Sequence, residues 1–443
     1  MSSYTQTADL LYVLTLDPLN KQTNQDQNSN KMHQISIRIF AFALTVLSAA
    51  DALNNGIRLP PMGWSSWYGF TQYINETLFR DIGDGLVHFG LRDVGFTNVW
   101  IDDGFALPRD NVTNKITVDP IAFPSGMRNL SDYLVARGLS LGVYTSRGPL
   151  TCLAYQPSQP KRPGSCGYET IDAETYVFDW NVSQVKDDGC GDCPQHDPFK
   201  AMRDALNATG KPVLFTIHGC ADPGCDFGET ANMWRTGDDL YSSNFQMWTN
   251  RLDLATTPFQ ANLTGPGSLP DPDFLEVGYS PRESRSDSQT PLEQRSMFTM
   301  WAALPTGLIL SADLRIWSNG LDAYTIETLT NREIIAINQD DAVLPMRPVF
   351  NESGIQVWKK PLASGDLAIV FFFRGDEAGP LPNPPAIQEI SVQWSALGLS
   401  ISQQVRVRDL WNQTDIGVFT ESFSANITQR EARLYKFFFN TTV

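Results

Sequence analysis

Histidine is scarce in this 443-residue chain, with four in all, one of them at His33. A serine or cysteine hydrolase needs an imidazole beside its nucleophile, so that class is poorly supported. Basic residues are also in deficit: 33 Lys and Arg stand against 49 Asp and Glu, for a net charge of −16. That balance argues against nucleic acid, which rewards basic surfaces. The clearest apolar run, 39–47, is too short to span a bilayer. Six cysteines occur, none between Leu53 and Thr151. Cys190 and Cys193 form a Cys-x-x-Cys with no second close pair at zinc spacing, so a zinc site is poorly supported. There is no internal repeat.

What is present is a large apolar inventory, 42% hydrophobic and 11% aromatic, enough for a sizeable core. Residues 1–31 are polar and unpatterned, and read as an extension foreign to the mature protein. From Met32 a basic flank, a short apolar core and small residues predict a secretory signal over 32–52. Ten Asn-x-Ser/Thr sequons follow, at Asn75, Asn111, Asn129, Asn181, Asn207, Asn262, Asn351, Asn412, Asn426 and Asn440. An even cysteine count in an exported chain suggests three disulfides among Cys152, Cys166, Cys190, Cys193, Cys220 and Cys225. Together these predict a secreted or vacuolar/lysosomal glycoprotein.

From Pro60 onward, apolar strands alternate with helical patterns. Leu78, Ile82, Leu86 and Phe89 recur at helical spacing, as do Met127, Leu130 and Leu134 ahead of Gly138. Strands are expected over 96–101, 139–144, 176–185 and 213–217, and further ones ending near Asp239, Asp273 and Asp313. Such alternation predicts parallel strands with crossover helices. A (β/α)8 TIM barrel over 53–338 fits best, with a doubly wound sheet as the alternative. After 338 the helices stop. Stretches 355–358, 367–373, 387–394, 405–410 and 434–439 read as strands of an antiparallel β-sandwich over 339–443.

The stretch Lys186-Asp187-Asp188 is the centre of interest. Strand alternation puts Lys186 and Asp188 on one face and Asp187 on the other. A carboxylate beside a fixed cation stays ionised, as a glycosidase nucleophile must. Taken alone, Asp-Asp-Gly is ordinary turn chemistry. However, polar residues gather at the C-terminal ends of many strands: Trp67, Asp102, Asp103, Tyr144, Lys186, Asp188, His218, Asp239 and Asp273. In a barrel those ends converge.

These motifs, in order, resemble glycoside hydrolase family 27, the α-galactosidases and α-N-acetylgalactosaminidases. The likeness runs from Leu59 to the C-terminus. It rests on Leu59-Pro-Pro-Met-Gly-Trp-Ser-Ser-Trp67, Asp102-Asp103, Lys186-Asp-Asp-Gly-Cys190, Trp234-Arg-Thr-Gly-Asp-Asp239, Asp271-Pro-Asp273 and Ser311-Ala-Asp-Leu-Arg315. The resemblance implies hydrolysis of terminal α-galactose with retention, without metal or cofactor. Asp188 then stands at the nucleophile position and Asp239 at the acid/base position. Asp102, Asp103, Lys186 and Arg235 would hold sugar hydroxyls, Trp67 and Tyr144 would wall the pocket, and His218 and Asp273 would line it. The resemblance pairs Cys152 with Cys190; Cys166 with Cys193 and Cys220 with Cys225 are further expectations. The partner implied is a carbohydrate with terminal α-galactose, and a homodimer is an assembly considered.

The chain departs from the family's pattern in places. Asp187 replaces a usual aromatic, and an outward acid there needs a partner or exposure. His218-Gly219-Cys220 replaces the family's usual Cys, acid or amide, and Trp after the fifth strand, the loop that reads the sugar's 2-substituent. This keeps α-N-acetylgalactosaminidase, or a related pyranosidase with the same pair of acids, as an alternative; a small pocket beside Arg235 would favour the N-acetyl sugar. A galactose-binding protein without turnover is another, but the presence of both Asp188 and Asp239 argues against it.

Overall fold

The structure is a computed structural model and describes residues 53, 55–194, 197–219, 227–240, 244–279, 289–320, 322–375, 381–382 and 384–439. The predicted signal up to Ala52, Cys220, Cys225 and the sequon at Asn440 lie outside them.

Eight short strands run parallel: β1 Met62–Ser65, β2 Asn98–Ile101, β3 Ser140–Ser146, β4 Val182–Asp188, β5 Leu214–Ile217, β6 Met233–Arg235, β7 Leu269–Asp271 and β8 Leu308–Leu310. They pair in the order β8-β1-β2-β3-β4-β5-β6-β7. The first strand sits between the second and the last, which rules out the doubly wound sheet and gives the barrel. The last seam, β7 to β8, carries no strand ladder; instead Leu275 N–H donates to Ile309 O at 2.7 Å. Helices cover the outside, so the strands are largely buried on both faces.

The helices start where the sequence supplies caps. Asn75, Asp197, Asn244 and Thr290 each accept a backbone N–H at the start of Glu76–His88, Pro198–Ala208, Phe245–Ala255 and Pro291–Ala303. Leu78, Ile82 and Leu86 are buried along Glu76–His88, as their spacing predicts, with Phe89 buried just beyond its end; Phe79 joins them.

One expected strand is mostly something else. Residues 176–185 were expected to be extended, yet Glu169–Glu174 is helical and continues into a π-turn over Thr175–Asp179. Asn181, at φ +58, breaks the turn, and β4 starts at Val182. A short apolar run such as Tyr176-Val177-Phe178 has no periodicity that separates strand from helix.

The C-terminal part is a two-layer antiparallel sandwich. β9 Arg347–Glu352, β10 Ile355–Pro361, β11 Leu367–Phe373, β12 Ile387–Gln393, β13 Val405–Asp409, β14 Thr414–Phe419, β15 Ser422–Thr428 and β16 Ala432–Phe438 form it. The large sheet runs β9-β10-β11-β16-β13-β14, and β12 pairs with β15. Three of these, β9, β14 and β15, have no counterpart in the sequence reading. β9 and β14 are edge strands with mostly exposed side chains, so they carry little apolar signal. The expected strand 387–394 stops at Gln393, because Trp394 opens a helical turn that ends at Gly398.

Alternation on β11 joins the two halves. Ile369 and Phe371 face the sandwich core, while Ala368, Val370 and Phe372 belong to the barrel's core. Phe372 stacks on Trp248 at 6.0 Å with an interplanar angle of 12°. Among the described residues, no helix is long and apolar enough to cross a membrane.

Candidate active site

The strand ends converge as a barrel requires. A single pocket is lined by Trp67, Asp102, Asp103, Tyr144, Lys186, Asp188, His218, Arg235, Asp239 and Asp273, so every expected site residue reaches it. The Cys152–Cys190 disulfide, expected as a pair, lines it too, as do Tyr68, Leu153, Gln156 and Phe274, which the sequence reading missed. Tyr68 was hidden because nothing local distinguishes it from a packing aromatic beside Trp67.

Asp188 ends β4 with three donors. Gly189 N–H donates to Oδ1 at 2.7 Å and Tyr144 Oη to Oδ2 at 2.9 Å. His218 Nδ1 lies 3.1 Å from Oδ1. Burial alone would raise this carboxyl's pKa. The His218 hydrogen bond and the Lys186 charge outweigh it and hold Asp188 far below the usual carboxylate range. Tyr144 is therefore more than a wall: burial and the Asp188 charge push its pKa up, so it stays a donor.

Lys186 Nζ donates to Asp102 Oδ2 at 2.8 Å. Burial opposes its charge, but Asp102 and Asp188 keep it protonated, with its pKa above the ordinary lysine value. Asp102 is 2% and Asp103 1% exposed, so neither sits on a solvent-washed turn. Asp103 Oδ2 accepts from Leu153 N–H at 2.9 Å, while Oδ1 is buried with no partner among the described residues. Burial, helped by Asp102, raises the Asp103 pKa to about 6, against the Leu153 hydrogen bond.

Asp239 follows β6 on a loop pinned from several sides. Thr236 N–H donates to Asp271 O at 2.9 Å, Arg251 Nη2 to Asp239 O at 3.2 Å, and Leu240 N–H to Asp273 Oδ2 at 2.7 Å. Arg235 forks, with Nη1 donating to Asp239 Oδ1 at 3.0 Å and Nη2 to Asp273 Oδ2 at 2.8 Å. Asp273 Oδ2 also takes Tyr68 Oη, and its Oδ1 takes Phe274 N–H. Both oxygens of Asp273 thus already have protein donors.

The β4 and β5 exits touch backbone to backbone. A Cβ on Gly219, where φ is +98, would lie 2.6 Å from Gly189 Cα, so neither position has room for a side chain. This contact sets His218 beside Asp188. The expectation for Asp187 needs correcting: it is neither paired nor exposed. It is 0% exposed, and neither carboxyl oxygen has a partner among the described residues. Burial, then the charges of Asp188 and Glu169, raise its pKa well above the usual range, so it is a neutral acid. Beneath Lys186, His218 and Arg235 a small hollow of about 20 Å³, room for little more than one water molecule, continues into the bore, lined by Trp100, Ile217, Met233 and Ile309.

Two disulfides clamp the region, Cys152–Cys190 and Cys166–Cys193, both as anticipated.

Known proteins share this plan. The α-galactosidase A family model matches residues 59–340, and the α-galactosidase C-terminal β-sandwich model matches 352–437. Alpha-galactosidase 2 of Arabidopsis thaliana is 32% identical over 415 residues, covering 90% of this chain and 97% of the relative. A probable α-galactosidase of Dictyostelium discoideum is 34% identical over 399 residues, 87% of this chain and 93% of the relative. The crystal structure of α-galactosidase I from Mortierella vinacea superposes with a TM-score of 0.76 at 27% identity, covering 88% of this chain and 99% of that one. The breadth of these matches, over both the barrel and the sandwich, places the chain in the melibiase family, glycoside hydrolase family 27.

Proposed function

We propose that this protein is an α-galactosidase that removes terminal, non-reducing α-D-galactose with retention of configuration. The observation that carries the mechanism is Asp188: half-buried, ringed by donors and held ionised, with Asp239 across His218 in the same pocket. Asp188 attacks the anomeric carbon while Asp239 gives its proton to the departing oxygen. Asp239, now a carboxylate, takes a proton from water, whose oxygen displaces Asp188 and restores the enzyme. Asp102, Asp103, Lys186 and Arg235 hold the sugar's hydroxyls. The unpartnered Asp103 Oδ1 suits a sugar O–H, and a sugar lacking that hydroxyl leaves a buried acceptor unpaired. Asp273, with both oxygens taken, aims Arg235 rather than the sugar.

The relatives named α-galactosidase support the substrate. The altered loop at His218 keeps an α-N-acetylgalactosaminidase as the second reading, although the hollow beside Arg235 has room for little more than one water molecule. We place the mature protein in a secreted or vacuolar/lysosomal setting, on the exposure of all nine described sequon asparagines and the two disulfides. Barrel and sandwich are taken as the domains 53–338 and 339–443.

Hydrolysis of nitrophenyl α-galactoside beside nitrophenyl α-N-acetylgalactosaminide, at mildly acid pH, separates the two activities. Preference for the first is expected, and preference for the second transfers the function to the alternative. Asp188→Asn is expected to lower kcat by about a thousandfold or more while the thermal transition is kept. Near-normal turnover by that variant removes Asp188 from the nucleophile's place.

A further inference from the structure

His218 stands between the two acids. Its Nδ1 is 3.1 Å from Asp188 Oδ1 and 3.9 Å from Asp239 Oδ1. Among the described ion pairs it is the one group shared by both carboxylates. Lys186 is spent on Asp102, and Arg235 on Asp239 and Asp273. The imidazole is also placed by backbone: His218 N–H donates to Asp187 O at 3.1 Å, and the next residue, Gly219, packs its backbone against Gly189. The shorter distance goes to Asp188, the acid that is ionised in the free enzyme.

We propose that His218 is a positioning residue that passes one N–H from the nucleophile to the acid/base as negative charge moves between them. The idea rests on the roles proposed above for Asp188 and Asp239. In the free enzyme Asp188 is the anion and draws the Nδ1–H. When Asp188 bonds to the anomeric carbon, the bond from that carbon to the departing oxygen breaks, and that oxygen takes the Asp239 proton. Asp188 is then a neutral ester and Asp239 a carboxylate. An N–H prefers an anion to an ester oxygen, so a small ring movement closes the 3.9 Å gap. Hydrolysis reverses the order: water's oxygen bonds to the anomeric carbon, its proton goes to Asp239, and Asp188 leaves as the anion and recovers the donor. His218 gives up no proton at any point. One donor thus serves both half-reactions, where a donor fixed on Asp188 would help only the free enzyme.

Pre-steady-state kinetics with dinitrophenyl α-galactoside test this, because the burst reports formation of the glycosyl-enzyme and the steady state reports its hydrolysis. His218→Ala is expected to slow both phases by about 10- to 100-fold, the worth of one hydrogen bond to a charged group. Galactose affinity should stay within about threefold, since the residue acts through the acids. His218→Asn, whose amide N–H falls near the Nδ1 position, should recover much of both rates. If His218→Ala slows the burst alone, His218 is an anchor of Asp188 and the proposal fails. It fails too if neither phase changes, or if Asn and Ala are equally slow. Should Ala not fold, as judged by its thermal transition, the two phases of the Asn variant decide. Asp188→Asn is run alongside: turnover by that variant condemns the underlying assignment, whatever the His218 variants do.

Discussion

Asp187 and Asp188 are chain neighbours on β4 with opposite protonation. Asp188 faces donors and a cation; Asp187 faces the outside of the barrel, where burial and nearby carboxylates keep it neutral. Its folded pKa is raised, so its contribution to stability is fully present below the unfolded value of about 3.9 and is lost as pH climbs. The wild type therefore carries a cost at neutral pH that it does not carry near pH 4. Asp187→Asn cannot ionise. Whatever its absolute stability, its Tm relative to wild type should rise between pH 4 and pH 7, by about 1 °C for each kcal/mol involved. A difference in Tm that stays flat across that range would show that Asp187 does not titrate under strain. Strand alternation predicts that Asp187 points away from the pocket. Its lack of both partner and exposure depends on how the helix Glu169–Glu174 and the following π-turn cover β4, and no local pattern encodes that. Tyr68 and the double engagement of Asp273 by Arg235 and Leu240 are equally long-range, and equally illegible.

At the scale of elements, the capped helices and the apolar strands were legible because cap residue and periodicity are local. The π-turn at 175–179 and the edge strands β9 and β14 were not, the first for want of periodicity and the others for want of burial. The β4 and β5 exits show how two elements make one site. Their glycines meet at backbone distance, and the resulting register carries His218 to Asp188. Gly219→Ala meets both the left-handed φ and the Gly189 backbone, so it should cost about 1–3 kcal/mol of stability. It should also lower kcat more than it raises KM, because the displaced groups are the acids rather than the sugar's hydroxyl ligands. Denaturant titration and steady-state kinetics on the same sample check both. A stable, fully active variant would mean that the contact is dispensable.

The whole molecule is held by β11, which offers one face to each core, and by Lys360. This lysine, 1% exposed, reaches from β10 to donate to Ile337 O at 2.7 Å in the helix Arg332–Asn338. Burial pulls its pKa down to about 7, against the attraction of Asp340. The sign is opposite to that of Asp187. Folding disfavours the charged lysine, so the cost is full below about pH 7 and fades as pH rises toward the unfolded value of about 10.4. Lys360→Met should therefore gain more stability, relative to wild type, at pH 5 than at pH 9, by about 2–4 kcal/mol. An equal effect at both pH values would show the ammonium to be at no disadvantage in place.

The pairing of Asp188 with Asp239 is the centre of the account, and stereochemistry reports on it directly. Proton NMR during hydrolysis of nitrophenyl α-galactoside follows the anomer released before mutarotation. Two displacements predict α-galactose first, with β-galactose growing in only later. β-Galactose as the first product would mean that water attacks the sugar directly, and the proposed roles of Asp188 and Asp239 would both fall.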